Sequence, residues 1–229
     1  MEHSPNQPPT AAVADAALRL RVPVRLAPVT LLPVTSGAAF SGMAQPVTHL
    51  GSVDVFLDAI DDAAPGSVLV IDNGGRDDEA CVGDLVVLEA KLAGLAGLVV
   101  WGRHRDTAQL RQIGLPVYSR GACPLGPLRV PPAGRPMRSA VLDGVPVTAE
   151  DLVVADDDGV LFVGPERRDE ILKLAAGILQ TESRQADRMA AGASLREQLD
   201  FAGYRRRQAQ DPQLTLRQHL LELGSAIEV

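Results

Sequence analysis

The stretch running from Gly83-Asp84-Leu85-Val86 to Arg105-Asp106 decides how this chain folds. Twenty residues separate Asp84 from Arg105. Between them lie a helix-like segment, Leu85 to Leu95, and a strand-like one, Gly97-Leu98-Val99-Val100-Trp101. A strand-like run, Ser67 to Ile71, precedes the unit and is followed by Asn73-Gly74-Gly75. The pattern predicts a βαβ unit with a glycine turn at the helix entrance and a cation–anion pair just past the second strand. In open α/β structures, sites form at these carboxyl ends of strands.

The residue types permit a definite chemistry. Free N–H groups at a helix entrance can hold a small carboxylate. Arg105 can neutralise an anion or a developing oxyanion through its planar donor fork. Asp106, helped by waters, can hold a hard divalent cation such as Mg²⁺, which needs few protein ligands. A cation and an arginine facing a 2-oxo acid would stabilise its enolate, the intermediate shared by metal-dependent aldol cleavage and oxaloacetate decarboxylation. Two plainer readings compete on residue type alone. Asp84 can simply cap a helix, and Arg103-His104-Arg105-Asp106 can be a solvated charged turn.

Asp84, twenty residues, then Arg105-Asp106 resembles the D-x20-R-D signature of the 4-hydroxy-4-methyl-2-oxoglutarate / 4-carboxy-4-hydroxy-2-oxoadipate aldolases of the RraA-like family, named for a regulator of ribonuclease E activity. Further segments are similar to that family in order: Thr10 to Asp15, Ala63 to Asp72, Ile113 to Tyr118, and Asp151 to Val160. The likeness covers roughly residues 10 to 180, which a chance motif does not do. It implies a swivelling β/β/α domain of the α/β class, not a Rossmann unit. It implies that the amides of Gly83, Asp84, Leu85 and Val86 receive a pyruvyl carboxylate and that Arg105 contacts a substrate keto or carboxylate oxygen. Asp106 would anchor the divalent metal (Mg²⁺, Mn²⁺ or another), and Asp84 would orient a water that exchanges a proton. A homotrimer or dimer of trimers is implied too. Two departures touch the far end of the substrate: Gln109 replaces a frequent acidic residue, and Gly51-Ser52-Val53 stands where many aldolases have Asn in the turn. The alternative function within the family is a non-catalytic, protein-binding regulator of ribonuclease E. The complete Asp84, Arg105 and Asp106 set favours the lyase acting on a small 2-oxo acid.

Composition narrows the classes further. Net charge is −7, which gives no whole-molecule attraction to nucleic acid. No apolar run approaches the ~18 residues of a membrane helix, and Met1 to Pro9 lacks a signal-peptide core. The chain reads as cytoplasmic, with no membrane partner. Only Lys91 and Lys173 could serve a Schiff-base mechanism, and Lys91 is expected to send its charge to solvent. Cys81 and Cys123 have no paired spacing, and Cys81 is expected to be a small buried hydrophobe. His3, His49, His104 and His219 are scattered, which disfavours a histidine-built metal site. His104 is expected in an exposed loop. Asn73-Gly74-Gly75 is not a dinucleotide-binding pattern.

Along the chain, residues 1–9 read as disordered, residues 10–190 as the catalytic domain and residues 191–229 as a helical tail. Helices are expected at Ala11 to Leu20, about Val53 to Asp61, and Pro165 to about Met189. Strands are expected at Val29 to Val34, Gly37 to His49 and in a hairpin over Leu152 to Val163. Arg129 to Pro146 reads as proline-rich and strand-like. In the tail, Ser194 with Glu197 forms a capping-box pattern. Leu214, Leu216, Leu220, Leu221 and Leu223 mark a final amphipathic helix, either a cover over its own domain or, as the resemblance to ring-shaped trimers implies, an arm across a neighbouring subunit.

Overall fold

The computed structural model describes residues 7–130 and 138–223. In chain order the elements are α1 (Thr10–Leu20), β1 (Arg25–Leu26), β2 (Leu32–Pro33), β3 (Phe40–Thr48), α2 (Asp54–Asp61), β4 (Val68–Asp72), β5 (Ala80–Val82), α3 (Asp84–Leu92), β6 (Gly97–Trp101) and β7 (Arg103–His104). They continue with α4 (Thr107–Ile113), β8 (Val117–Ser119), β9 (Ala140–Leu142), β10 (Val145–Val147), β11 (Leu152–Asp156), β12 (Gly159–Val163), α5 (Arg168–Ala190), α6 (Leu195–Gln198), α7 (Phe201–Gln210) and α8 (Leu216–Glu222).

The main sheet runs β1-β12-β11-β3-β4-β6-β8-β2. Its centre, β3-β4-β6-β8, is parallel, and the β1-β12-β11-β3 side is antiparallel. Strands β4 and β6 are almost entirely apolar because both their faces are covered. Side chains alternate across a strand, so Leu69 and Ile71 of β4 and Leu98 and Val100 of β6 enter one core. Val68, Val70, Val99 and Trp101 enter the other. The first core is closed by helices: Val55, Phe56, Ala59 and Ile60 form one face of α2, joined by Val86, Val87 and Ala90 of α3 and Leu110 of α4. Full burial of a side chain such as Phe56 contributes about 2 kcal/mol. The second core is closed by β structure, with Ala140, Leu142 and Val147 of the β9–β10 hairpin and Val153, Ala155, Val160 and Phe162 of the antiparallel side. The result is the expected β/β/α layering.

Strand β3 joins the two halves of the sheet. Phe40 to Met43 pair antiparallel with β11, and Ala44 to Thr48 pair parallel with β4. Pro46 falls where β11 no longer pairs, which suits a residue without an N–H. Gly42 is needed for packing: a Cβ there would stand 2.0 Å from the Gly66 carbonyl oxygen. Gly66 itself turns at φ 84° after Pro65, which accounts physically for the Pro-Gly pair before β4.

Two compact units divide the chain, one comprising 1–10 and 23–168, the other 11–22 and 169–229. The expected boundary at residue 190 lies inside the second unit, at the end of α5. In that unit the Ser194–Glu197 capping box forms as expected, and Thr215 with Gln218 makes a second one. The tail helices have internal contacts: His219 Nε2 lies 3.2 Å from the Leu199 carbonyl oxygen, Tyr204 packs on the His219 ring, and Arg207 pairs with Glu222 at 2.6 Å. Leu220 is buried while Leu221 is exposed, so the leucine stripe is only partly left to solvent.

The expected strand over Val29 to Val34 reduces to Leu32–Pro33, because Leu31 N–H bonds back to Pro28 O and turns the chain. Of residues 1–9, only 7–9 are described; Pro8 is buried, and Thr10 donates to Asp156 from both its amide and its hydroxyl. Part of the Arg129 to Pro146 segment, residues 131–137, lies outside the described residues. Elements β5, β7 and α4 have no counterpart in the sequence reading.

Candidate active site

The parallel strands β3, β4 and β6 end on one side of the sheet. Their carboxyl ends deliver His49, Asn73 and the segment Gly102 to Asp106, the placement expected of an α/β site. The short parallel pair β5–β7 then brings Gly83 and Arg105 side by side, with Arg105 N–H donating to Val82 O at 2.9 Å. A pocket of about 480 Å³ opens here, its lining including His49, Val53, Gly83, Asp84, Val86 and Arg105.

The structure brings Asp84, Arg105 and Asp106 together at the N-terminus of α3. Gly83 is the N-cap and Asp84 the first helical residue, so the plain capping role considered for Asp84 is not the one it has. Its Oδ1 accepts from Leu85 N–H at 2.8 Å, and Asp84 N–H donates to Asp106 Oδ2 at 3.3 Å. Asp106 thus brings a second carboxylate to the positive end of α3. Arg105 Nε stands 3.5 Å from the same Oδ2. A Cβ on Gly83 would lie 2.5 Å from Asp106 Oδ2 and 3.1 Å from Arg105 Nε, and one on Gly126 would lie 2.9 Å from Arg105 Nη1. Both glycines therefore clear space for this pair. Asp106 adopts the left-handed conformation, φ 58° and ψ 40°, and precedes α4 without capping it through its side chain. Its carboxylate is directed to α3 instead. Backbone strain of this kind accumulates where a side chain must be held for a task.

Of the four amides expected to receive a carboxylate, two are engaged by Asp106 and Asp84, while Val86 N–H has no hydrogen-bond partner among the described residues. Arg105 is half exposed, its side chain 48% accessible, and Asp106 35%. Among the described residues no group of three or more His, Cys, Asp and Glu could hold a metal ion. A structural zinc site takes four protein donors and a catalytic one three and a water. The carboxylate of Asp106 beside Asp84 suits a hard cation that keeps most of its water shell and takes one or two carboxylates.

A second charged cluster adjoins the first. Glu79, 4% exposed, is paired with Arg129, whose Nε lies 3.1 Å from Glu79 Oε1, and with Arg76 at 3.5 Å. Burial pushes the Glu79 carboxyl up, but the hydrogen bond and charge of Arg129, with Arg76, outweigh it and hold the group below its ordinary range. Arg129 Nη2 also donates to Asn73 Oδ1 at 2.8 Å, and His49 Nδ1 meets the same oxygen at 2.8 Å. The His49 ring stacks on Phe56, centroids 5.0 Å apart. Burial pulls the His49 pKa down, the Asn73 bond pulls it back up, and Arg129 lowers it again; the net direction is down. No sequence signal announces this cluster, since Glu79 and Arg129 lie fifty residues apart.

Of three expectations about neighbouring residues, one is overturned and two hold. His104 is not an exposed loop residue: it is 4% exposed, its Nδ1 2.7 Å from Ser119 Oγ and its Nε2 2.9 Å from Thr107 Oγ1. The short strand β7 turns its side chain inward, between the flanking arginines. Cys81 is buried, as expected, and burial pushes its thiol up to about 12. Lys91 is exposed and donates to Ile113 O, and neither lysine lines the pocket.

The comparisons with known proteins agree with this architecture. The RraA-like family model, described as Aldolase/RraA, matches residues 10–162. A Halalkalibacterium halodurans protein named "Putative 4-hydroxy-4-methyl-2-oxoglutarate aldolase" is 31% identical over 167 residues, covering 69% of this chain and 72% of its own length. Protein DlpA of Legionella pneumophila is 34% identical over 140 residues, 60% of this chain; the match spans only 22% of DlpA. The crystal structure of Streptomyces coelicolor RraAS2, described as an unusual member of the RNase ES inhibitor RraA protein family, superposes with a TM-score of 0.66 at 27% identity, covering 81% of this chain and 94% of that one. Among the described residues no helix is long and apolar enough to cross a membrane. With the sheet, the β/β/α layers and two thirds of the chain in agreement, this protein belongs to the RraA-like Aldolase/RraA family.

Proposed function

We propose that the chain is a divalent-metal-dependent carbon–carbon lyase that releases pyruvate from a 2-oxo acid. The reaction is aldol cleavage of 4-hydroxy-4-methyl-2-oxoglutarate, decarboxylation of oxaloacetate, or both. The observation that carries this reading is the meeting of Arg105 and Asp84, which line one pocket, with Asp106 at the amide end of α3. The similarity to the Halalkalibacterium aldolase supports it.

In this reading the substrate carboxylate binds at the amides of Gly83 to Val86, where it takes the place of the carboxylate oxygens now accepting from Asp84 and Leu85. Arg105 donates to the keto or carboxylate oxygen through its planar fork. Asp106 is the residue that would hold Mg²⁺, Mn²⁺ or another divalent cation, largely through water. When bound, the cation supplies Lewis-acid stabilisation of the charge that develops on the keto oxygen. Asp84 orients the water that exchanges a proton with the reacting carbon. Assembly as a homotrimer or a dimer of trimers is part of the same proposal, and light scattering tests it.

Val53 and Gln109 replace polar groups at the far end of the substrate, so decarboxylation, which uses only the pyruvyl half, should be the less demanding activity. The likeness to RraAS2 favours a second reading, a protein-binding regulator without chemistry at this pocket. A screen of 2-oxo acids with released pyruvate as readout, with Mg²⁺ or Mn²⁺ and with EDTA, separates the two. Pyruvate release that EDTA abolishes supports the lyase. Release unaffected by EDTA contradicts the metal requirement, and no release from any substrate leaves the regulator.

A further inference from the structure

The pocket that the α3 amides line also contains a histidine whose tautomer the surrounding network dictates. A guanidinium has only donors. Because Arg129 Nη2 lies 2.8 Å from the Asn73 side chain, the atom it meets must be the amide oxygen. His49 Nδ1 lies 2.8 Å from that same oxygen and must therefore be its protonated nitrogen. Asn73 Nδ2 closes no well-formed bond among the described residues, though it is near enough to Glu79 to help hold that carboxylate low. This is the orientation that places the amide oxygen towards the arginine and the amide nitrogen towards the acid. The chain Glu79–Arg129–Asn73–His49 therefore runs in one direction and leaves the lone pair on His49 Nε2.

That nitrogen has no hydrogen-bond partner among the described residues. The ring around it is fixed by the Phe56 stack and is 2% exposed, yet His49 lines the pocket beside Ser52 and Val53. An acceptor without a protein partner on a residue that lines a cavity is free to take a ligand donor.

We infer that His49 is a specificity-determining residue: its Nε2 accepts a hydrogen bond from a hydroxyl on the distal carbon of a 2-oxo acid whose pyruvyl half lies at Arg105 and α3. This rests on the lyase reading of the pocket. It supplies a polar contact on the side where the turn Gly51-Ser52-Val53 lacks asparagine, and it distinguishes a hydroxylated aldol substrate from oxaloacetate, which has no such hydroxyl. A site built to bond a hydroxyl discriminates strongly against the analogue lacking it, because its buried polar atom is then left unpaired. The charged groups acting on His49 are Arg129, which lowers its pKa, and Glu79 and Asp54, which raise it less than burial lowers it. The ring is accordingly neutral at pH 7. The preference for the hydroxyl should be lost only at acid pH, where a proton on Nε2 converts the acceptor into a donor.

The test compares His49→Phe with wild type on 4-hydroxy-4-methyl-2-oxoglutarate and on oxaloacetate, alongside ¹⁵N NMR of the wild-type histidine tautomers. The expected result is a fall of at least about tenfold in kcat/KM for the hydroxylated substrate. The ratio of kcat/KM between the two substrates should shift about tenfold towards oxaloacetate, and His49 should resonate as the Nδ1–H tautomer. An equal fall on both substrates, or an unchanged ratio, overturns the proposal while leaving the lyase reading intact. An Nε2–H tautomer overturns it even if the variant does not fold. Absence of pyruvate release by wild type removes the lyase reading itself, and this proposal with it.

Discussion

Two charged clusters share the loops at the carboxyl ends of β3, β4 and β6, and they are built in opposite ways. In the Glu79 cluster, a carboxylate with a 5% exposed side chain is paired with Arg129 and Arg76 and linked through Asn73 to His49. In the Arg105 cluster, the side chains are 48% and 35% accessible, and the one ion pair is long, 3.5 Å. The first largely satisfies itself. The second has a guanidinium, two carboxylates and a helix N-terminus with few mutual bonds, which leaves capacity for a ligand. Breaking the Glu79–Arg129 pair of the first should therefore cost mainly stability, and breaking the second should cost function.

The largest stability effect is expected from Arg129→Met, which leaves Glu79 buried with only the longer Arg76 contact. A loss of about 3 kcal/mol is the expected scale for removing one partner of a buried pair. Denaturant unfolding measures it, and a loss below about 0.5 kcal/mol would place the cluster with ordinary surface pairs. Gly83→Ala should act on the other cluster. Its Cβ would push against Asp106 Oδ2 and Arg105 Nε, which are ends of mobile side chains, so stability should change by less than about 1 kcal/mol. Pyruvate release should nevertheless fall at least about tenfold, or about 1.4 kcal/mol in barrier.

Acid should separate the clusters as well. The Glu79 carboxyl is held below its unfolded value, so its contribution is present above about pH 4.5 and is lost as pH falls through the folded pKa. Arg129→Met removes the main groups holding it down, so the variant's stability should depend less on pH in that window. The smallest effect concerns thiols. With its pKa near 12, Cys81 stays protonated at pH 8, and iodoacetamide should label Cys123 while leaving Cys81 unmodified in the folded protein.

Much of the fold was legible because it rests on local pattern. The apolar runs Ser67 to Ile71 and Gly97 to Trp101 announced β4 and β6, and Ser194 with Glu197 announced a helix start. The three residues of the Arg105 cluster were legible through one spacing, Asp84 to Arg105-Asp106, which the pair β5–β7 converts into contact. The Glu79 cluster was not legible. His49, Asn73, Glu79 and Arg129 come from four separate segments, and only the folded sheet makes them neighbours. His104 was misread for a related reason: a charged dipeptide looks solvated until the partners of a two-residue strand, Ala80 to Val82, are known.

The most direct test of the Arg105 cluster as a ligand site is Arg105→Lys, with stability and pyruvate release measured on the same preparation. The substitution keeps the positive charge but removes the planar fork. The expected result is a melting temperature within about 2 °C of wild type, as befits a half-exposed side chain, together with turnover reduced about a hundredfold. Wild-type turnover in the lysine variant would contradict the account, because Arg105 would then be no more than a surface charge.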